Sequence, residues 1–186
     1  FGHGTFLNLF MERVVKDNEI EIKDSTGTIY IYNKISGTSS LYECSELQSK
    51  ISLNIETQDI TLSDKHGNQF FFSNSVYPYK IETKDEKVFN ITCLQNNISL
   101  ITNTDNTFKI EFIYNDELVN EIRYYKKING QFVLCNFSLI SYINYNNKAY
   151  IKEIEYKQND NENDTQITVY KNIFSYDSIM KSLVIK

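Results

Sequence analysis

The side chains best suited to catalysis or metal binding are few in this chain of 186 residues: two histidines, three cysteines and scattered carboxylates. His3 sits in Gly2-His3-Gly4 and His66 in a polar turn, with no third histidine to complete a zinc set. Cys44, Cys93 and Cys135 are far apart and form no C-x-x-C pair, which argues against zinc or thioredoxin-type chemistry. Cys93 and Cys135 lie in apolar runs, so both are expected as free, buried core thiols. A single disulfide would have three pairings to choose from. The chain has no G-x-S-x-G elbow, no G-x-G-x-x-G and no phosphate-binding loop. A carboxylate pair such as Glu111 and Glu121 is the arrangement glycoside hydrolysis would need. Both fall in alternating strand patterns, where a solvent face is the expected place for a carboxylate. The acidic stretch Gln158 to Thr165 lacks the glycine and the closing glutamate of a calcium loop, and reads as a solvated hairpin tip. No catalytic residue, cofactor or metal site is expected.

Aromatic side chains are the remaining candidates for binding. Phe70-Phe71-Phe72 and Tyr124-Tyr125 place neighbouring rings on opposite faces of a strand. One ring of each run, Phe71 or Tyr125, then faces solvent or a second packing layer. There it could stack a sugar or a partner.

The elements that must position these rings are strands. One hairpin-like unit occurs three times, at intervals of roughly 40 residues: Ile20 to Tyr32, Ile60 to Phe72 and, more loosely, Leu100 to Phe112. Each is an alternating run, a polar turn and a second alternating run. The turns carry Asp24 and Gly27, Asp64 and Gly67, Asn103 and Asn106. Asp and Asn can accept hydrogen bonds from the backbone just ahead, and Gly or Asn tolerates positive φ. Asn129-Gly130 is the strongest two-residue hairpin signal, because a type I′ turn needs positive φ at both positions. Further strands are expected at Thr5–Val15, Ile51–Ile55, Tyr79–Thr83, Val88–Leu94, Leu118–Lys126, Gln131–Asn144, Ala149–Lys157, Thr165–Tyr170 and Ser182–Ile185. Leu41 to Lys50 fits either a helical turn or an irregular strand. The pattern predicts an all-β, antiparallel sheet built from consecutive hairpins, as an open curved sheet, a sandwich or a partial barrel. It reads as one β-rich domain over residues 1–186, with a subdivision near Pro78 into hairpin repeats (1–77) and longer, more irregular strands (78–186).

Composition agrees. Tyr and Phe number 14 and 12, which favours strands. A net charge of −5, with both signs well mixed, gives no footprint for nucleic acid or an anionic membrane. No apolar run approaches the roughly 20 residues that span a bilayer. The chain starts at Phe1 and shows no signal peptide, so it is expected to be a piece excised from a longer protein.

The segment Phe1-Gly2-His3-Gly4-Thr5-Phe6-Leu7-Asn8 through Glu12-Arg13, followed by Lys23-Asp24-Ser25-Thr26-Gly27 and Leu62-Ser63-Asp64-Lys65-His66-Gly67-Asn68-Gln69-Phe70, resembles the region that leads into the repeats of RHS/YD-repeat proteins. Ile101-Thr102-Asn103 to Ile110-Glu111-Phe112-Ile113-Tyr114-Asn115 is similar to a third such hairpin. Thr5 stands where the family has Trp, and the third turn has Asn106 where it has Gly. The resemblance covers about residues 1–115. It implies a non-enzymatic scaffold segment of a secreted or cell-surface protein, contributing strands to a β-shell. The partners it implies are the rest of its own longer chain and an encapsulated cargo. The residues alone leave a carbohydrate- or ligand-binding β-domain open as the alternative, with a surface glycan held at Phe71 and Tyr125, and a hydrolase as a third reading.

Overall fold

The computed structural model describes residues 11–24, 28–73, 75, 77–95, 97–145, 148–160, 165–176 and 183–185. Gly27 and most of the Thr5–Val15 segment lie outside the described residues. The fold is all-β, and no helix occurs among the described residues. Its strands are β1 (Met11–Val15), β2 (Glu19–Asp24), β3 (Ile29–Lys34), β4 (Leu41–Cys44), β5 (Ser49–Leu53), β6 (Ile60–Ser63), β7 (Gln69–Phe72), β8 (Lys80–Glu82), β9 (Val88–Leu94), β10 (Asn97–Asn103), β11 (Phe108–Asn115), β12 (Leu118–Ile128), β13 (Gln131–Tyr145), β14 (Lys148–Asp160), β15 (Thr165–Tyr176) and β16 (Leu183–Ile185). Strand order in the sheet is the order of the chain, so the molecule is a run of antiparallel hairpins. It divides into two compact units, Phe1–Ile98 and Ser99–Lys186.

The first unit is built of short strands, most of which alternate in and out, β9 departing from this towards its end. β5 reads buried, exposed, buried, exposed, buried along its five residues. The inward residues stand opposite one another across successive strands. Tyr42 faces Ile51, Ile51 faces Leu62, Leu62 faces Phe70 and Phe70 faces Ile81. All five are at most 6% exposed. Ile20 and Ile51 are at 0%, a degree of burial that a flat single layer cannot give. The sheet must therefore curl over its own core, and the electrostatic influence of Asp59 on Arg13 is in keeping with this. Burial pushes the Arg13 guanidinium pKa down, while the carboxylate of Asp59 acts to raise it. Arg13 is on β1 and Asp59 precedes β6. In a flat sheet five strand spacings would separate them by roughly 24 Å. Pro78, also fully buried, lies within this unit.

The hairpin period is half of the spacing read from the sequence. A turn in which residue i+3 donates its N–H to the carbonyl of residue i, with i+3 left-handed, recurs at Ser45, Asp64, Thr83 and Asn103. The left-handed residues are Gln48 (φ 51°), Gly67 (88°), Glu86 (62°) and Asn106 (51°). The turn beginning at Asp24 is closed by Asp24 N–H to the Thr28 carbonyl at 2.9 Å. Positions 24, 45, 64, 83 and 103 lie at intervals of 21, 19, 19 and 20 residues. Four of the five also use one side-chain device. Oδ1 of Asp24, Asp64 and Asn103 and Oγ1 of Thr83 each accept the N–H four residues on, at 3.0, 2.9, 2.9 and 3.2 Å. Asp64 goes furthest, accepting also His66 N–H at 2.8 Å and Asn68 Nδ2–H at 2.8 Å. Burial works to raise the Asp64 pKa, but these bonds outweigh it and hold the carboxyl below its usual range. Asp64→Ala is expected to remove all three acceptor contacts and lower stability by about 1–2 kcal/mol, read as a lower urea midpoint at unchanged slope. Gly67→Ala should cost a similar amount, about 1–2 kcal/mol, because its φ is left-handed. The added Cβ would also sit 3.3 Å from Lys84 Cβ.

Two expectations are corrected here. Cys93 is exposed and Cys135 only half-buried, whereas Cys44 is the buried thiol. Cys93 lies near the end of β9, where residues 92–95 are exposed, so an apolar neighbourhood in sequence does not become burial. All three cysteines are free. The polar stretch from Gln158 does not begin a loop: β14 continues to Asp160, pairing Gln158 with Ile167 and Asp160 with Thr165. The backbone ladder holds these residues whatever their polarity.

Candidate functional site

The second unit differs in kind from the first. Its strands run to 15 residues, and Phe137 is the one buried side chain among those described in Ser99–Lys186. A sandwich of two layers would bury a whole row of residues, so β11 to β15 form a single layer with two accessible faces. Each pairing in this layer carries one register shift: at Ile113/Tyr114, Tyr124/Tyr125, Ser141/Tyr142 and Tyr156/Lys157. A bulge at every junction adds local twist and changes which residues share a face.

Following the register across these shifts separates two surfaces of different chemistry. One face carries Lys109 and Glu111 on β11, Arg123 and Glu121 on β12, Glu153, Glu155 and Lys157 on β14, and Lys171 on β15, around an apolar row on β13 of Phe132, Leu134, Phe137 and Leu139. Its charges are matched along and across strands. Lys109 Nζ lies 2.6 Å from Glu111, Arg123 Nε 2.8 Å from Glu121, and Lys171 Nζ 2.9 Å from Glu153. Thr168 donates its hydroxyl to Glu155 at 2.7 Å. Burial works to raise the Glu111 pKa, but hydrogen bonds from Lys109 and Tyr125 and the charges of Lys109 and Arg123 hold it low. The bond to Glu121 raises Arg123 further. Phe137 stands opposite Arg123 on one side and Lys157 on the other.

Among the described side chains, the opposite face is uncharged apart from Lys126 at its margin, and the ladder ends on this face at Asp160, opposite Thr165. It carries Ile110 and Phe112 on β11, Tyr124 and Ile122 on β12, Asn136, Ser138 and Ile140 on β13, Ile154, Tyr156 and Gln158 on β14, and Tyr170 on β15. Tyr156 and Tyr170 stack with ring centres 5.0 Å apart and planes 10° from parallel. Phe108 and Tyr124 meet at 6.0 Å.

The two rings singled out from the sequence stand far apart in chemistry from this uncharged face. Phe71 lies between buried Phe70 and Phe72, half-buried on the outside of the first unit. Lys80 Nζ sits 3.8 Å above its ring, and Tyr79 packs beside it at 6.4 Å. Tyr125 is on the charged face, with Lys109 Nζ 4.3 Å above its ring. Burial raises the Tyr125 pKa, and its bond to Glu111 adds to this. Each of the two rings thus has a cation over it, a contact worth about 0.5–1 kcal/mol at an exposed site. Glu111 and Glu121 face the same side of the sheet but are engaged by Lys109 and Arg123 respectively. Asn129 and Gly130 both take positive φ, 50° and 83°, at the tip joining β12 to β13. Among the described residues no group of three or more His, Cys, Asp or Glu could hold a metal ion, and no helix is long and apolar enough to cross a membrane. The split into a charged and an uncharged face was not found from the sequence. The signal that could have found it is the alternation in Lys109-Ile110-Glu111-Phe112 and Glu153-Ile154-Glu155-Tyr156. No family model matches the chain, and no curated protein matches its sequence.

Proposed function

We propose that the chain is a non-enzymatic scaffold segment of a secreted or cell-surface protein, adding strands to a larger β-shell of the RHS/YD-repeat type. The observation that carries this reading is the recurrence of one hairpin turn every 19 or 20 residues, from Ser45 to Asn103, in strands whose spatial order is their chain order. Such a design builds surface by repetition, each hairpin burying its inner face against its neighbours. The charged groups support it: the carboxylates nearest a catalytic arrangement, Glu111 and Glu121, are both engaged in ion pairs. The test is to shave intact cells expressing the parent protein with protease, and to follow this segment with an antibody raised against it. Loss of the epitope without lysis is expected. An epitope protected until the cells are broken would overturn the reading. Binding of a surface glycan at Phe71 and Tyr125 is the rival function. Calorimetric titration with an oligosaccharide panel should give no saturable heat. A saturable isotherm abolished by Phe71→Ala or Tyr125→Ala would put the rival first.

A further inference from the structure

We infer that the uncharged face of the second unit is a self-association surface, covered by the same face of a second copy of this chain. This goes beyond the scaffold reading and does not require it. Three observations converge. The first is that no second layer covers β11–β15 among the described residues of its unit. Ile110, Phe112, Tyr124, Ile154 and Tyr156 are only half-buried, and Tyr170 is 51% exposed. The second is the contrast between the two faces. The charged face has its ions matched on itself, with Lys109 Nζ over the Tyr125 ring. Between its margins, where Lys126 and Asp160 stand, the uncharged face offers no charge among the described side chains for a charged partner to match. Laid against itself about a two-fold axis, its centre brings no like charges together, which the charged face could not do. Its Asn136, Ser138 and Gln158 supply amide and hydroxyl groups that can bond across such an axis.

The third observation is size. Five strands at about 4.8 Å and roughly eight residues of shared ladder at about 3.3 Å give a face of roughly 650 Å². A standard stable interface needs about 600–1,000 Å² per partner. Two such faces packed about 10 Å apart, with strands within about 30° of alignment, would form the sandwich that one copy lacks. Tyr124, Ile154 and Tyr156 lie near the middle of the patch, where aromatic anchors contribute most.

The experiment uses the full 186-residue chain. Sedimentation equilibrium over roughly a hundredfold range of concentration should show mass rising towards twice the 21.9 kDa of one chain. Ile154→Lys should weaken association at least about tenfold, since a charge would be buried against an apolar partner. Lys171→Gln, on the charged face, should leave it within about twofold. Because Ile154→Lys could also disturb folding, a photo-cross-linking benzoylphenylalanine is placed separately at Tyr156 and at Tyr125. Covalent dimers are expected from Tyr156 and not from Tyr125. A monomer at every concentration overturns the inference while leaving the scaffold reading standing. A dimer that cross-links from Tyr125, from neither position, or that is indifferent to Ile154→Lys in a folded protein also overturns it.

Discussion

Phe72→Ala is expected to destabilise the first unit by about 3–5 kcal/mol, whereas Phe71→Ala, one residue earlier, should cost no more than about 1 kcal/mol. Phe72 is 2% exposed and stands opposite Ile60, which itself faces Leu53 across the next strand. Truncation leaves a cavity in a row of side chains already at packing contact, and the curled sheet has no spare side chain to fill it. Against a total domain stability of about 5–15 kcal/mol, the loss is a large fraction of what holds the unit together. Phe71 points the other way, and its truncation gives up only the packing with Tyr79 and the contact with Lys80. Urea denaturation of both variants measures the difference. Equal effects would mean that the two faces of β7 are not inside and outside as described.

Stability should also fall steeply between pH 10 and 12, and Tyr32→Phe should flatten that fall. Tyr32 is 1% exposed, and its hydroxyl lies 2.9 Å from Ser49 Oγ, also buried. Burial pushes the phenol up to about 12, the Ser49 bond acting weakly the other way. The unfolded chain loses this proton near pH 10. The folded state therefore binds it more tightly, and the contribution is whole below pH 10. Above that it decays by up to about 1.4 kcal/mol per pH unit until the folded phenol titrates near 12. Tyr77, Tyr125 and Tyr142 are raised too and act in the same sense, so the difference between wild type and Tyr32→Phe isolates one residue. At neutral pH the variant should lose about 1–3 kcal/mol, because Ser49 is left buried without its partner. Parallel pH profiles for the two proteins would show that Tyr32 titrates freely.

Strands were the most legible feature of the sequence, because a period of two in apolar residues is read directly. Val88–Leu94 was read with both of its ends, and Gln131–Asn144 to within one residue of Gln131–Tyr145. The turns were legible only where their chemistry was overt. Asp64 with Gly67 announced a hairpin, whereas Cys44-Ser45-Glu46-Leu47-Gln48 did not, although its backbone makes the same turn with Gln48 in the left-handed region. That silence turned Leu41–Lys50 into an ambiguous stretch and doubled the apparent repeat length. It also shows that a turn set by the pairing of its flanking strands can hold a residue that does not favour the conformation. The faces of the second unit were hidden for a different reason. Alternation predicts which neighbours share a side only until the first bulge, and the four register shifts from Ile113 to Lys157 are set by the sheet. The alternation at Phe71 and Tyr125 leaves solvent or a second packing layer open for each ring, and the lysines over them come from neighbouring strands, beyond the reach of a local pattern.

The identity of strand order and chain order bears on how the molecule comes into being. Each strand finds its partner within a few residues of itself, so the separation along the chain of contacting residues is small and loop closure is cheap at every step. An antiparallel sheet of this kind can be laid down from one end as the polypeptide emerges from a ribosome or an export channel, each new hairpin docking on the one before. The advancing edge is then always a strand that has just been made and is about to be covered. The last hairpin present at any moment is the point at which assembly can stall or capture a neighbour.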